Sequence, residues 1–215
     1  MLTATLCRAL FSTPRPRATR PSVPPTYCAL VHHPVVNRQG EEVTTSVTNL
    51  DVHDIARSAR TYGLSGYFIV SPIDAQHPVI QKILDHWTSG AGTSCFPERG
   101  EAIALVRLAH SIDEAIAAIE AETGKSPRLV VTSAKNGPDR SSYEEEARRL
   151  SSASRPTLFL FGTGHGLSDR VLQRADVFLE PIEGPSSFNH LSVRAAVAIS
   201  LDRLFAPKSP ANNPI

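Results

Sequence analysis

From Tyr27 onward, six short apolar runs alternate with longer amphipathic stretches, and this alternation constrains the fold more than any other feature of the chain. The runs cover 27–32, 66–70, 106–109, 128–132, 157–161 and 177–180, each bounded by Gly, Pro or polar turn residues. Runs so brief and so uniformly apolar have no polar face to turn to water, and they read as strands buried on both sides of a sheet. Between them, Asn49 or Asp51 can cap a helix that runs to Tyr62 and stops at Gly63. Val79, Ile80, Ile83, Leu84 and Trp87 recur at helical spacing across 75–87. Ser111 and Glu114 form a capping box before Ile112, Ala115, Ile116 and Ile119, and Gly124 closes that helix. Shorter helices are expected at 143–150 and 168–174. The last, 191–205, is apolar on most faces, which implies burial or a subunit contact.

Strand and helix in strict alternation predict an α/β fold, a mainly parallel sheet flanked by helices. Ligands of such sheets sit beyond the carboxyl ends of the strands. Function is therefore expected in the loops at 71–72, 133–142, 162–166 and 181–189. At 215 residues there is room for one domain, and 41% hydrophobic with 20% charged residues suits a globular one. No apolar run approaches the roughly 20 residues of a membrane helix, so no membrane partner is expected. A formal charge of +1 excludes capture of nucleic acid by overall charge, and any RNA contact must be a local basic patch.

Residues 1–26 differ in kind. They hold Arg8, Arg15, Arg17 and Arg20 with five prolines and no acidic residue; the first carboxylate of the chain is Glu41. Such a segment cannot bury enough apolar surface to fold, and disorder is expected. It matches an organelle transit peptide in composition, but its prolines oppose an amphipathic helix and favour a bacterial extension. The domain is then 27–206, with a flexible tail at 207–215 and a cytoplasmic setting, or an organellar one if 1–26 is a targeting peptide. Cys7, Cys28 and Cys95 lie far apart without CxxC spacing, which fits a reducing compartment. His32-His33 and Asp51-x-His53-Asp54 are the sole metal-like spacings, and caps or surface residues explain them better; no metal is expected.

Three constellations carry chemistry. In Leu158-Phe159-Leu160-Phe161-Gly162-Thr163-Gly164-His165-Gly166-Leu167-Ser168, a strand feeds glycines at alternate positions and then a helix. Glycines let backbone N–H groups approach a ligand, although the spacing is neither a P-loop nor a dinucleotide fingerprint. In 180–196 a Pro/Gly/Ser-rich loop leads into Asn189-x-x-Ser192 and a small-residue helix; Asn189 by itself could be an N-cap. In 47–63, Arg57 sits among Ile55, Ala56 and Ala59 near the middle of a helix. Separately these fit a tight turn, a cap and a surface arginine. The glycine loop alone would also fit a flavodoxin-like nucleotide or phosphate binder.

In this order, however, the three resemble the motifs of SPOUT methyltransferases: an Asn…Arg…Gly helix, a strand-Phe-Gly-x-Gly-x-Gly-Leu loop and an Asn-x-Ser-x-Ala helix. Leu30–Val35, 45–51, Ala56-Arg57, Thr61-Tyr62-Gly63 and 189–199 are similar to one stand-alone bacterial branch described as tRNA (guanine-N1)-methyltransferase-like. The resemblance covers about 27–205. It implies a trefoil knot in the C-terminal part, a feature that periodicity would not suggest because connections are normally unknotted. It also implies S-adenosyl-L-methionine as cofactor, an RNA substrate (tRNA or rRNA) and a homodimer with its acceptor site at the subunit interface.

Carried over residue by residue, the resemblance assigns Gly162, Thr163, Gly164 and Gly166 to one wall of the cofactor pocket, continuing strand residue Leu160. Ile182 and Gly184 form a second wall, Leu191 and Val193 close it, and Thr132 and Ser133 complete it. Arg57 would bind phosphate or orient the acceptor, a role that suits its very high pKa better than that of a base. Asn189 and Ser192 would position the acceptor and the methionine moiety. Ribose methyltransferases of the class carry a Glu in the glycine loop, where this chain has Gly164-His165, and the acidic residue of genuine guanine-N1 enzymes has no counterpart. His165 is thus a candidate for proton handling, since imidazole exchanges protons near neutrality. The missing Glu equally suits a non-catalytic module that keeps the pocket. RNA would meet Arg57, Arg60, Lys135, Arg140 and Arg194, or the basic extension.

Overall fold

The computed structural model describes residues 24–207. Among them, seven strands form one wholly parallel sheet: β1 (Thr26–Val31), β4 (Gly66–Val70), β5 (Val106–Ala109), β6 (Arg128–Val131), β7 (Arg140–Ser141), β8 (Thr157–Gly162) and β9 (Val177–Leu179). β2 (Val35–Val36) and β3 (Glu42–Val43) make a separate antiparallel hairpin. The helices are α1 (Asn49–Tyr62), α2 (Gln76–Thr88), α3 (Gly92–Cys95), α4 (Pro97–Ile103), α5 (Ile112–Thr123), α6 (Tyr143–Ser152), α7 (Asp169–Leu172) and α8 (Val193–Phe205). No helix of the described residues is long and apolar enough to cross a membrane.

Strand order across the sheet is β5-β4-β1-β8-β6-β9-β7. The chain builds outward from β1 to β5, then fills the other side, with β8 inserted between β1 and β6. The switch of direction therefore lies beside β1 and β8, where α/β sheets open a crevice for ligands. Register places Val31 opposite Gly162, so the end of β1 meets the start of the glycine loop.

Why the strands are apolar throughout is visible in the core. Cys28 and Leu30 of β1 join Phe159 and Phe161 of β8 on one face, against α1, α6 and α8. Tyr27, Ala29 and Val31 join Leu158 and Leu160 on the other, where α5 supplies Ile112, Ala115 and Ile119. Alternate residues serve opposite faces, and both faces are covered. Tyr27 to Val31 are all essentially inaccessible to solvent. One fully buried carboxylate interrupts this apolar interior: Glu146 of α6 takes both guanidinium nitrogens of Arg128 on β6, at 3.0 Å for Nη1 and Oε2. That pair fastens α6 to the start of β6.

The expected strands and helices are present, with ends displaced by one or two residues. Three differences are informative. Thr48, rather than Asn49 or Asp51, caps α1: its hydroxyl accepts from the Asp51 amide at 3.3 Å and donates to the Asp51 carboxylate at 2.6 Å. Ser192, rather than Asn189, caps α8, which begins at Val193 instead of Leu191. The β2–β3 hairpin, β7, α3 and α4 fall in segments where the sequence pattern predicts no element.

Of the 1–26 extension, residues 24–26 are described. The Thr157 amide donates to the Pro25 carbonyl at 3.1 Å and Thr26 opens β1, so the folded unit starts slightly before Tyr27. Residues 1–23, and 208–215 of the tail, lie outside the described residues.

Candidate functional site

Three segments meet at the carboxyl ends of β6, β8 and β9: the turn after β6, the glycine loop after β8 and the loop from β9 to α8. They enclose a cavity of about 670 Å³. The glycine loop forms its base. A Cβ on Gly162 would stand 2.8 Å from the Leu167 amide nitrogen and 3.0 Å from Leu167 Cγ, so the strand folds back on its own loop too tightly for any side chain. Gly164 and Gly166 have φ of 60° and 113°, the region that glycine alone enters without strain.

Hydrogen bonds hold this loop from two sides. Thr163 donates both its amide (3.2 Å) and its hydroxyl (3.0 Å) to the Val31 carbonyl at the end of β1. Thr45 Oγ1 lies 2.5 Å from the Thr163 hydroxyl and 2.9 Å from His32 Nδ1. On the other side the β2–β3 hairpin grips the loop, with the Val36 amide donating to the Gly166 carbonyl and the His165 amide to the Val36 carbonyl, each at 2.9 Å. Burial pushes the His32 imidazole down to about 4, only partly opposed by the Asp51 carboxylate, so it is neutral at physiological pH. Its Nε2 is buried without a partner.

The turn after β6 is locked to β8 by Thr132, whose amide (3.2 Å) and hydroxyl (3.1 Å) both donate to the Leu160 carbonyl. The β9–α8 loop is clipped to that turn by Asn189, whose side-chain amide donates to the Ala134 carbonyl at 2.9 Å. At the inner end, the Tyr143 hydroxyl of α6 and the buried Ser200 hydroxyl of α8 lie 3.0 Å apart. Burial raises the Tyr143 pKa.

Most residues expected at a cofactor pocket converge here. Thr132, Ser133, Gly162, Thr163, Gly164 and Gly166 line the cavity, as do Ile182, Leu191, Val193 and Asn189. Four others stand apart from its lining. Leu160 is wholly buried in the sheet and contributes through its carbonyl. Gly184 is exposed, and a Cβ added there would meet nothing within 4 Å. Ser192 is occupied in capping α8. Arg57 sits on the solvent side of α1 and makes no ion pair among the described residues. Its helix is tied to α8 by Arg194, which bonds Asp51 (3.1 Å) and Asp54 (3.3 Å).

Of the other basic residues expected to face RNA, Arg60 is paired with Glu101 at 2.6 Å and Arg140 with the Lys135 carbonyl at 3.1 Å. Lys135 lines the cavity and, like Arg57, makes no ion pair among the described residues. Tyr143 and Ser200, at the inner end of the cavity, are additions that the motifs do not supply. A serine within the apolar run 191–205 is the one signal for them in the sequence.

A cavity of this size suits a nucleoside-sized ligand. Ile182, Leu191, Val193 and Phe161 offer apolar walls for a flat ring, while the glycine loop and the 132–135 turn offer backbone groups and hydroxyls. S-adenosylmethionine, with its adenine, ribose and amino-acid tail, fits that donor set. Among the described residues, no cluster of three His, Cys, Asp or Glu could hold a metal ion.

The fold is shared with solved structures. The chain is similar to TrmJ from Z. mobilis ZM4 (TM-score 0.53, 16% identical, 88% of this chain and 73% of that one). It is likewise similar to the A. aeolicus TrmH/SpoU tRNA modifying enzyme (TM-score 0.52, 11% identical, 86% and 75%). At these identities the likeness establishes the fold, that of the SpoU/TrmH type within the SPOUT class.

Sequence likeness then gives the family. Residues 25–206 match a family described as SAM-dependent RNA methyltransferases, and the chain belongs to it. S-adenosylmethionine is thus the cofactor of the family. A protein named tRNA (guanine-N(1)-)-methyltransferase from Oleidesulfovibrio alaskensis is 48% identical over 178 residues, 83% of this chain but 41% of that protein. An uncharacterized protein of Aquifex aeolicus is 46% identical over 180 residues, 84% of this chain and 88% of the relative. The chain spans about two fifths of the length of the named relative.

Proposed function

We propose that the cavity holds S-adenosylmethionine and that the chain methylates RNA, with tRNA the foremost substrate. The observation that carries this reading is the convergence of three separate loops on one cavity whose glycine base admits no side chain. When bound, S-adenosylmethionine supplies an electrophilic methyl group, which the acceptor's lone pair takes as the carbon–sulfur bond breaks. The chain's own task is to hold and orient. Gly162–Gly166 and Thr132-Ser133 present backbone groups and hydroxyls to the polar parts of the ligand, Ile182, Leu191 and Val193 cover its ring, and Asn189 keeps the covering loop against the 132–135 turn. The proton released by the acceptor falls to His165, which lines the cavity with an exposed imidazole, or to water.

Arg57 and Lys135, free of ion pairs among the described residues, supply positive charge for RNA phosphates. The reading includes a homodimer whose second subunit completes the acceptor site: Leu50, Phe188 and Leu191 are large apolar side chains 57%, 72% and 47% exposed, more than a monomer needs to leave bare in one neighbourhood of the site. It also includes a trefoil knot. The β9–α8 chain must pass the 132–135 turn, to which Asn189 bonds, before α8 packs between α1 and α6.

Incubating the protein with tritiated S-adenosylmethionine and total tRNA tests the reading; label is expected in RNA and lost with Asn189→Ala. A second reading, a non-catalytic cofactor-binding module, is favoured by one fact: no carboxylate lines the cavity among the described residues. Cofactor binding with no label in any RNA would select it.

A further inference from the structure

Four atoms form a chain of contacts behind the glycine loop: His32 Nδ1, Thr45 Oγ1, Thr163 Oγ1 and the Val31 carbonyl oxygen, spaced 2.9, 2.5 and 3.0 Å. Each hydroxyl has one hydrogen to give, so the direction of one bond fixes the rest. The Val31 carbonyl can only accept, and Thr163 spends its hydrogen there. Thr163 must then accept from Thr45, and Thr45 from His32, whose ring carries its proton on Nδ1 and leaves Nε2 bare. The reverse order would set the Thr163 and Val31 oxygens against each other with no hydrogen between them. It would also put an N–H on Nε2, which is buried without a partner, and an orphaned N–H is a rarer fault than an unused lone pair. We infer that His32 and Thr45 are positioning residues for the cofactor: a one-way relay from His32 through Thr45 and Thr163 to Val31 sets the glycine loop for binding, although neither residue lines the cavity. The inference rests on the reading that the cavity holds S-adenosylmethionine, and it gives two residues outside the cavity a part in that binding.

Both ends of the relay are fixed. His32 is 1% exposed, its amide donates to the Val70 carbonyl and its carbonyl accepts from the Thr45 amide, each at 2.9 Å. Burial keeps the ring neutral, so its single N–H is committed to Thr45. At the other end Thr163 is fastened three times: its amide and hydroxyl both donate to Val31, and its hydroxyl accepts from Thr45. The result is a loop with little donor capacity left over. Of its amides, those of Thr163, His165 and Gly166 donate to the Val31, Val36 and Thr163 carbonyls. The Gly164 amide has no partner among the described residues, and Gly164 lines the cavity, so the loop held in this way keeps one N–H for a ligand. Thr45 reaches that residue directly: its Cγ2 lies 3.7 Å from where a Cβ on Gly164 would stand. Its methyl group therefore packs on the loop while its hydroxyl bonds it, and the two roles can be tested apart.

Thr45→Val keeps the shape of the side chain and removes the hydroxyl, whereas Thr45→Ser keeps the hydroxyl and removes the methyl group. Isothermal titration with S-adenosylhomocysteine is expected to give a Kd about tenfold weaker for Thr45→Val, with Thr45→Ser recovering to within about threefold of wild type. An affinity of Thr45→Val equal to wild type overturns the inference, and so does a loss in Thr45→Ser as large as that in Thr45→Val, since packing alone would explain it. The direction of the relay is read on the wild-type protein from the nitrogen-15 shifts of its imidazoles near neutral pH, with His32 assigned by its disappearance in His32→Asn. A protonated Nδ1 and a bare Nε2 are expected; a proton on Nε2 overturns the relay. Wild-type protein that binds no S-adenosylhomocysteine brings down the cofactor reading and this role with it, whereas binding that ignores Thr45→Val brings down this role alone.

Discussion

Gly162→Ala places one methyl group where the structure has no room for it. The new Cβ would lie 2.8 Å from the Leu167 amide nitrogen, 3.0 Å from Leu167 Cγ and 3.1 Å from the Gly166 carbonyl carbon. Two of these are backbone atoms, so rotating a side chain cannot relieve the contact and the 162–167 loop has to move. Overpacking of this kind costs about 1–3 kcal/mol. For a domain of this size that corresponds to a fall in Tm of about 2–12 °C, since each kcal/mol lowers it by about 2–4 °C. The same movement displaces the base of the cavity, so cofactor affinity should fall by about tenfold or more, the equivalent of about 1.4 kcal/mol. Gly184→Ala is the stability control: nothing lies within 4 Å of its added methyl, and its Tm should stay within about 2 °C of wild type. Calorimetric unfolding and isothermal titration with S-adenosylmethionine read both effects. A Gly162→Ala protein with unchanged Tm and unchanged cofactor Kd would refute the close-approach argument for the glycine loop.

Two further outcomes follow from buried charge. Arg128→Met leaves the fully buried Glu146 carboxylate with only the more distant Arg149, at 3.8 Å, and should cost about 3 kcal/mol in urea unfolding, while the double change Arg128→Met, Glu146→Leu should restore most of that loss; equal loss in both would contradict it. Because burial holds His32 near 4, the unfolded chain binds the extra proton between about 4 and the ordinary 6.5, so stability falls as pH drops through that window. At pH 5 the loss relative to pH 7.5 is about 2 kcal/mol, and His32→Asn should lack it; a pH-independent difference between the two proteins would show that His32 titrates normally.

What the sequence made legible follows from where each signal originates. β8 and β6 could be read because they are buried on both faces over most of their length, which leaves an unbroken apolar run such as 157–161. The glycine loop could be read because positive φ at Gly164 and Gly166 demands a residue type. The hairpin that grips that loop could not, since two-residue strands have no period; its local marks are Asn37, whose side chain accepts from the Gln39 and Glu41 amides at 2.9 Å, and Gly40 at positive φ. Nor could the Tyr143–Ser200 contact, made between helices 57 residues apart. Strand order was equally hidden. That β8 sits between β1 and β6 depends on which faces pack, and it is this insertion that sets the glycine loop beside His32, Thr45 and Val31. Motif order, not spacing, supplied the cofactor, and four residues that it assigned (Arg57, Leu160, Gly184 and Ser192) do not line the cavity: they stand on a solvent-facing helix side, inside the sheet, in an open loop and at a helix cap.

The central claim is that the cavity at the carboxyl ends of β6, β8 and β9 is the cofactor site. A crystal structure of the protein with S-adenosylhomocysteine tests it most directly. The account predicts the ligand's adenine among Ile182, Leu191 and Val193, with its polar groups on the Gly162–Gly166 backbone and the Thr132-Ser133 turn. Ligand bound with good occupancy anywhere else on the chain would contradict it.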